Sequence, residues 1–376
     1  MPFDLIRPVS VSLASHSQAR CAPMPAARRA HRAVGAWLFV MCGMLLVMVS
    51  LGGATRLTGS GLSIMEWAPL MGSLPPLSEA EWQRLYGLYQ TIPQYALLNH
   101  GFGLDGFKHI FWLEWSHRLW GRLIGLAFAV PLVWFAVRGM IDGRLGRRLG
   151  ALFLLGGLQG AIGWFMVASG FAADSTAVSP YRLVAHLTMA LALYSAILWT
   201  ALSQWRGEAG GPAARRFPAA RRSPAYLMIP ATCISVALTI VAGGFVAGLH
   251  AGLAYNTFPL MNGTLIPEGY AHLQPWVRNL TENIAAVQFN HRLLATFTGV
   301  LAAATAAVGL WVGAAGGLRW ALIALAGLVA VQYTLGIATL LAMVPATLGT
   351  AHQAVAVLVL TAALVALHLQ TRPACQ

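Results

Sequence analysis

Glu114-Trp115-Ser116-His117-Arg118-Leu119-Trp120-Gly121-Arg122 puts a carboxylate, an imidazole and two guanidiniums at the mouth of an apolar run. Ionisable groups at a membrane helix entrance are costly and mark functional positions. A related stretch returns as Gln288-Phe289-Asn290-His291-Arg292-Leu293-Leu294, and the remainder of the chain is organised around the pair.

The 376 residues are 58% hydrophobic and 9% charged, with a mean hydropathy of +0.67. A soluble domain carries about 25% charged residues, so the composition implies an all-α integral membrane protein. The net charge of +13 does not point to nucleic acid, because the basic residues lie mostly in short connections. Cys21, Cys42, Cys233 and Cys375 form no C-x-x-C pair and no C-x-x-C-H, which argues against zinc, iron–sulfur and covalently attached haem.

About 20 apolar residues span a bilayer as a helix. Eight segments qualify: 33–53, 117–137, 150–169, 183–203, 226–248, 292–314, 319–341 and 350–369. Arg138, Arg144, Arg147 and Arg148 follow the second, and Arg206, Arg215, Arg216, Arg221 and Arg222 follow the fourth. With a basic amino terminus, the positive-inside rule places both termini in the cytoplasm. Residues 1–32 read as a disordered basic tail, with a mitochondrial transit peptide as the alternative, 206–225 as a cytoplasmic linker and 371–376 as a short tail. The long connections 54–116 and 249–290 then lie outside. Within the first, Ser78 reads as the N-cap of a short helix with Glu81 as its capping-box partner.

The chain repeats internally. Gly52-Gly53, Gly61-Leu62 and Pro69-Leu70-Met71 recur as Gly243-Gly244, Gly252-Leu253 and Pro259-Leu260-Met261. His117-Arg118-Leu119 and Gly125 recur as His291-Arg292-Leu293 and Gly299, each 174 residues on. Gln159 and Gly163 recur as Gln332 and Gly336, and Ala185-His186 as Ala351-His352. Four spans per half is an even number, so both halves run in the same direction: two tandem, parallel four-helix bundles, 33–205 and 226–370.

The repeat singles out four of eleven histidines: His117, His186, His291 and His352. Each half offers two imidazoles near the same membrane surface, which suits the two axial positions of a non-covalent haem. Zinc would need further donors, and the fourth and eighth spans carry no carboxylate or thiol. His100, His109, His250 and His272 read as loop residues, and His16, His31 and His368 as flanking ones. Arg118, Arg292 and, with less support, Arg56 are propionate candidates, since a guanidinium fork matches a carboxylate; helix-end anchoring is the competing reading. The halves differ at Glu114, whose counterpart is Gln288, and at Arg56, whose counterpart is Ala247. A carboxylate three residues before His117 shares its helix face and is the candidate catalytic group.

The run Gly52-Gly-Ala-Thr-Arg-Leu-Thr-Gly-Ser-Gly-Leu-Ser63, Glu114-Trp-Ser-His117-Arg, Asn290-His291-Arg and the two Ala-His pairs resemble the haem A synthase family over residues 33–370. The outer loops lack cysteine pairs, as in the subtype shared by proteobacteria and mitochondria. The resemblance implies oxidation of the C8 methyl of haem O to the formyl of haem A, for cytochrome c oxidase. It also implies haem b as cofactor between His291 and His352, substrate haem O between His117 and His186, and Glu114 as the acidic residue assisting the chemistry. The implied setting is the bacterial inner membrane, or the mitochondrial one in a eukaryote, with haem O synthase as supplier and a homo-oligomer open. The rival is a dihaem cytochrome b subunit that relays electrons and modifies neither haem.

Overall fold

In the computed structural model, residues 25–67, 71–207 and 224–371 are described. The expected tails lie mostly outside this range, as do most of the linker and the Pro69-Leu70 part of the first Pro-Leu-Met motif. The chain forms α1 (Pro25–Leu57), α2 (Glu79–Tyr89), α3 (Pro93–Leu98), α4 (Gly103–Val137), α5 (Gly143–Ala168), α6 (Pro180–Trp205), α7 (Pro224–Gly248), α8 (Ile284–Trp311), α9 (Gly316–Leu341) and α10 (Ala346–Thr371). All but α2 and α3 are long and apolar enough to cross a membrane, which makes eight spans among the described residues. A helix suits the bilayer because it bonds its own backbone polar groups internally.

Two rings of four helices result. In the first, α1 packs on α4 and α6, and α5 on α4 and α6; in the second, α7 packs on α8 and α10, and α9 on α8 and α10. The rings join through α1 against α10, α6 against α7, and α6 against α10. These joints are paired like the sequence repeat. A Cβ on Gly53 would meet Gln353 of α10, and one on Gly244 would meet Val184 and Leu187 of α6. Tyr194 and Thr361 share a 2.7 Å hydrogen bond across the joint, and Ser203 reaches His368 Nε2 at 3.1 Å. The pattern is consistent with tandem parallel bundles.

The long connection 54–116 carries the short Ser78-capped helix expected there and more helix besides. It contains α2 and α3, and α4 begins as early as Gly103, so Glu114 and the exposed His109 sit on a helix. The reason is aromatic packing: Phe107 and Phe111 of the α4 extension bury against Trp82, Tyr89 and Leu62, forming a satellite core. Ser78 caps α2 by accepting from Glu81 N at 3.2 Å. The Glu81 carboxylate turns instead to Arg84, which also grips Glu66 through two bonds of 2.8 and 2.9 Å. This cap packs on the start of α4, on Val167 of α5, and on Phe171 and Val178 between α5 and α6.

Candidate functional site

Each of the four histidines lies against a glycine on the preceding long helix. A Cβ built on Gly52 of α1 would fall 3.1 Å from His117 Nε2, and one on Gly163 of α5 would fall 2.8 Å from His186 Cε1. The second half repeats this with Gly243 of α7, 3.0 Å from His291 Cε1, and Gly336 of α9, 2.9 Å from His352 Cε1. The sequence repeat had marked these glycines without a reason, and the reason is close approach. Any larger residue would push the imidazole from the bundle interior. In the Gly-Gly pairs, the first glycine seats a histidine of its own half and the second meets the other half.

Glutamines one turn away complete the setting. The Gln159 amide nitrogen stands 3.0 Å from His186 Nδ1 and donates to the His186 carbonyl at 2.9 Å, while that of Gln332 stands 3.3 Å from His352 Nε2. His117 lies within electrostatic range of His186, and His291 of His352. The structure therefore brings together the two pairs that the repeat selects.

Glu114 is 2% exposed, and its carboxylate is fully engaged. One oxygen accepts from Ser63 Oγ at 2.7 Å and Ile64 N at 2.9 Å; the other accepts from Arg118 Nε at 3.0 Å and Nη2 at 2.6 Å. Arg118 also donates to the carbonyls of Glu66 and Ile64 at 2.9 and 2.5 Å. The second half builds the same clamp with reversed polarity. Gln288 donates to the Ala251 carbonyl at 2.8 Å and the Ala254 carbonyl at 2.5 Å. Arg292 holds the carbonyls of Thr257 and Tyr255 at 2.9 and 2.6 Å. The loop in the first half presents donors to this position and the loop in the second presents acceptors, so a carboxylate suits one and an amide the other.

The arginines thus divide. Arg118 and Arg292 direct both terminal nitrogens to protein acceptors and anchor loops. Arg56, in the last turn of α1, has a buried Nη2 without a hydrogen-bond partner. It reaches toward His250 of the second half, and burial together with that guanidinium holds the His250 imidazole below its usual range. Sequence reasoning missed His368, which is fully buried and edge-on to Trp199 at 4.8 Å, and His31, which meets Gln204 at 2.8 Å. Both tie helices together, and single polar residues on apolar helices give no signal of their partners.

The residues fit an iron porphyrin. His291 Nδ1, His352 Nδ1, Gln159 Oε1 and Gln332 Oε1 are buried with no hydrogen-bond partner, a costly state unless a ligand orders the site. Among the described residues no group of three or more His, Cys, Asp or Glu is placed to hold a bare metal ion. Two imidazoles suffice only where a macrocycle provides the other ligands.

The fold and these paired imidazoles define a multi-pass membrane protein of the helical-bundle class, suited to holding flat, iron-bearing ligands. The COX15-CtaA family, cytochrome oxidase assembly protein, matches residues 35–364, and the chain belongs to it. It is 61% identical over 339 residues to heme A synthase of Granulibacter bethesdensis, covering 89% of this chain and 86% of the relative. It is 47% identical to heme A synthase of Nitrosospira multiformis, covering 88% and 91%, and 49% identical to that of Azorhizobium caulinodans, covering 91% and 95%.

Proposed function

We propose that the reaction of this family, oxidation of the C8 methyl of haem O to the formyl of haem A, runs in the first half of the chain. His117 and His186 hold the substrate iron there, and His291 and His352 hold a resident haem b. The observation that carries this reading is the pair of imidazoles in each half, every one seated on a glycine. The chain is an oxidoreductase acting on haem O, and bound haem supplies the redox chemistry. The protein contributes position and charge. Glu114, held by four donated hydrogen bonds, is a fixed negative charge three residues before His117, placed to favour positive charge as the methyl is oxidised. Arg56 offers a free buried donor to a propionate. The aromatic cap packs on the stretch of α4 that leads to His117.

The setting follows from charge. The arginine-rich connections after α4 and α6 belong in the cytoplasm, which puts the cap outside a bacterial inner membrane and both termini inside. Haem O then arrives from the membrane-embedded prenylation of haem B, the reaction of a haem O synthase. Residues 33–205 form the substrate half and 226–370 the cofactor half.

Extraction and chromatography of the bound haems tests the reading. Haem B together with haem O or haem A is expected, with His117→Ala and His186→Ala losing the latter and His291→Ala and His352→Ala losing haem B. Haem B alone in the protein from cells that make haem O would establish an electron relay instead.

A further inference from the structure

The two halves close their outer seams differently. On the second half, α8 and α9 meet through side chains: a Cβ on Gly299 would touch Val329 Cγ1 at 3.9 Å, and Tyr333 Oη bonds Thr296 Oγ1 at 2.9 Å. Phe258, from the loop that Arg292 clamps, packs edge-on against Tyr333 with centroids 6.3 Å apart. The repeat assigns counterparts to each of these on the first half. Gly125 stands for Gly299, Gly156 for Val329, Gly160 for Tyr333 and Arg122 for Thr296.

The first seam therefore lacks its filling. Cβ atoms built on Gly125, Gly156 and Gly160 would meet nothing within 4 Å. α5 buries only Leu149 and Leu152, whereas α9 buries Ala321, Leu322, Leu325, Val329 and Thr339. The loop counterpart of Phe258 is Trp67, because the Arg118 and Arg292 hydrogen bonds align Glu66 with Thr257. Trp67 stacks on Trp164 at 6.0 Å, with Arg118 over the same ring at 5.6 Å. The seam is open at the level of the three glycines and closes one turn further along, where Phe128 of α4 stacks on Phe153 of α5 at 6.1 Å. That seam is continuous with the imidazole site: Gly160 is next to Gln159 and three residues from Gly163, and both of those contact His186. Past Arg148, α5 carries no charged residue.

The substrate has one part that a bundle interior cannot enclose. Haem O differs from haem B by a hydroxyethylfarnesyl group in place of a vinyl group, and its isoprenoid chain is apolar and far longer than the porphyrin's other substituents. Resting on the assignment of the first half to the substrate, we propose that the α4–α5 seam receives the isoprenoid chain from the bilayer. Val329 and Tyr333 close the corresponding α8–α9 seam against it. These paired positions set which half takes the prenylated haem and which takes haem b. The transfer of apolar chain from lipid to protein changes little hydrophobic energy, so selection rests on shape: chain and side chain compete for one volume.

The test fills one seam and empties the other in the full-length protein in detergent–lipid micelles, titrated with haem O and with haem B. Gly156→Val/Gly160→Tyr is expected to weaken haem O binding in the first half at least tenfold. Binding of haem B to the same His117/His186 pair should persist, with its bis-imidazole absorption spectrum unchanged. The reverse variant, Val329→Gly/Tyr333→Gly, is expected to let haem O compete for the second half. Unchanged haem O affinity in the filled variant overturns the proposal, and loss of co-purifying lipid in that case would make a bilayer lipid the occupant. Loss of both haems from the filled half, with no gain of haem O in the emptied one, also overturns it, since the glycines then act only through the fold. A failure of the underlying assignment reads differently: haem O would leave with His291→Ala or His352→Ala in the otherwise native chain.

Discussion

The imidazole of His186 lies so close over Gly163 that a single methyl group added to that glycine would sit 2.8 Å from Cε1. Gly336 and His352 reproduce the relationship at 2.9 Å in the second half. Gly163→Ala and Gly336→Ala should therefore displace one imidazole each. On the proposed assignment, the expected result is a retained protein with weakened haem and a shift from low-spin toward high-spin absorption, at the His117/His186 pair for the first variant and at the His291/His352 pair for the second. Gly327→Ala of α9 is the control: its Cβ enters open space, and alanine favours the helix by about 1 kcal/mol.

The Glu114 clamp should fail asymmetrically. Gln288→Glu sets a carboxylate against the carbonyls of Ala251 and Ala254, so it should destabilise the second half and release haem b. Glu114→Gln keeps one acceptor for Ser63 or Ile64 and loses the charge. It should retain haem while haem O or a hydroxylated intermediate accumulates, with haem A formation down at least tenfold. Normal haem A yield from Glu114→Gln would remove Glu114 from the chemistry.

Arg118→Ala strips the partner from a carboxylate that is 2% exposed. Breaking a buried pair this way costs about 3–5 kcal/mol. The thermal midpoint in detergent should fall clearly, and limited proteolysis should cut the 60–67 loop. Arg292→Ala, facing a neutral amide, should cost less.

Gly35 is where α1 and α6 touch backbone to backbone. A Cβ there would lie 2.9 Å from Trp205 N and 3.3 Å from the Ala201 carbonyl, and neither can rotate away. Gly35→Ala should cost about 1–3 kcal/mol in overpacking, outweighing the gain in helix propensity. A thermal midpoint equal to or above the native one would contradict this.

The outer cap should loosen in acid. The hydrogen bonds from Arg84 hold the Glu66 carboxyl below the usual carboxylate range. Its contribution is complete above the unfolded value of about 4.3 and is lost as pH falls through the lower folded value. Both groups are about half exposed, so the effect is small. Tryptophan fluorescence of the cap should change below about pH 4, and Glu66→Gln should reduce that change, leaving the part due to the Glu81–Arg84 pair.

The eight spans were legible because apolar length is a one-dimensional property that the bilayer reads directly. The four histidines were legible because duplication compares each residue with its own copy. The α4 extension was not, since Phe107, Phe111 and Trp82 have no period that announces their mutual packing. Nor was the meaning of the Glu114/Gln288 difference, which depends on whether the facing loop offers donors at Ser63 and Ile64 or acceptors at Ala251 and Ala254.

By itself, then, the sequence determined the class, the repeat and the imidazole pairs, because hydropathy and recurrence need no third dimension. Only the tertiary structure decided what each residue near those imidazoles does. It made Gly52, Gly163, Gly243 and Gly336 seats for histidines and turned Arg118 and Arg292 to loop carbonyls. It left Gly156 and Gly160 facing a seam that Val329 and Tyr333 fill in the other half. Close approach and hydrogen-bond polarity are relations between distant segments, so they exist only once the helices have packed.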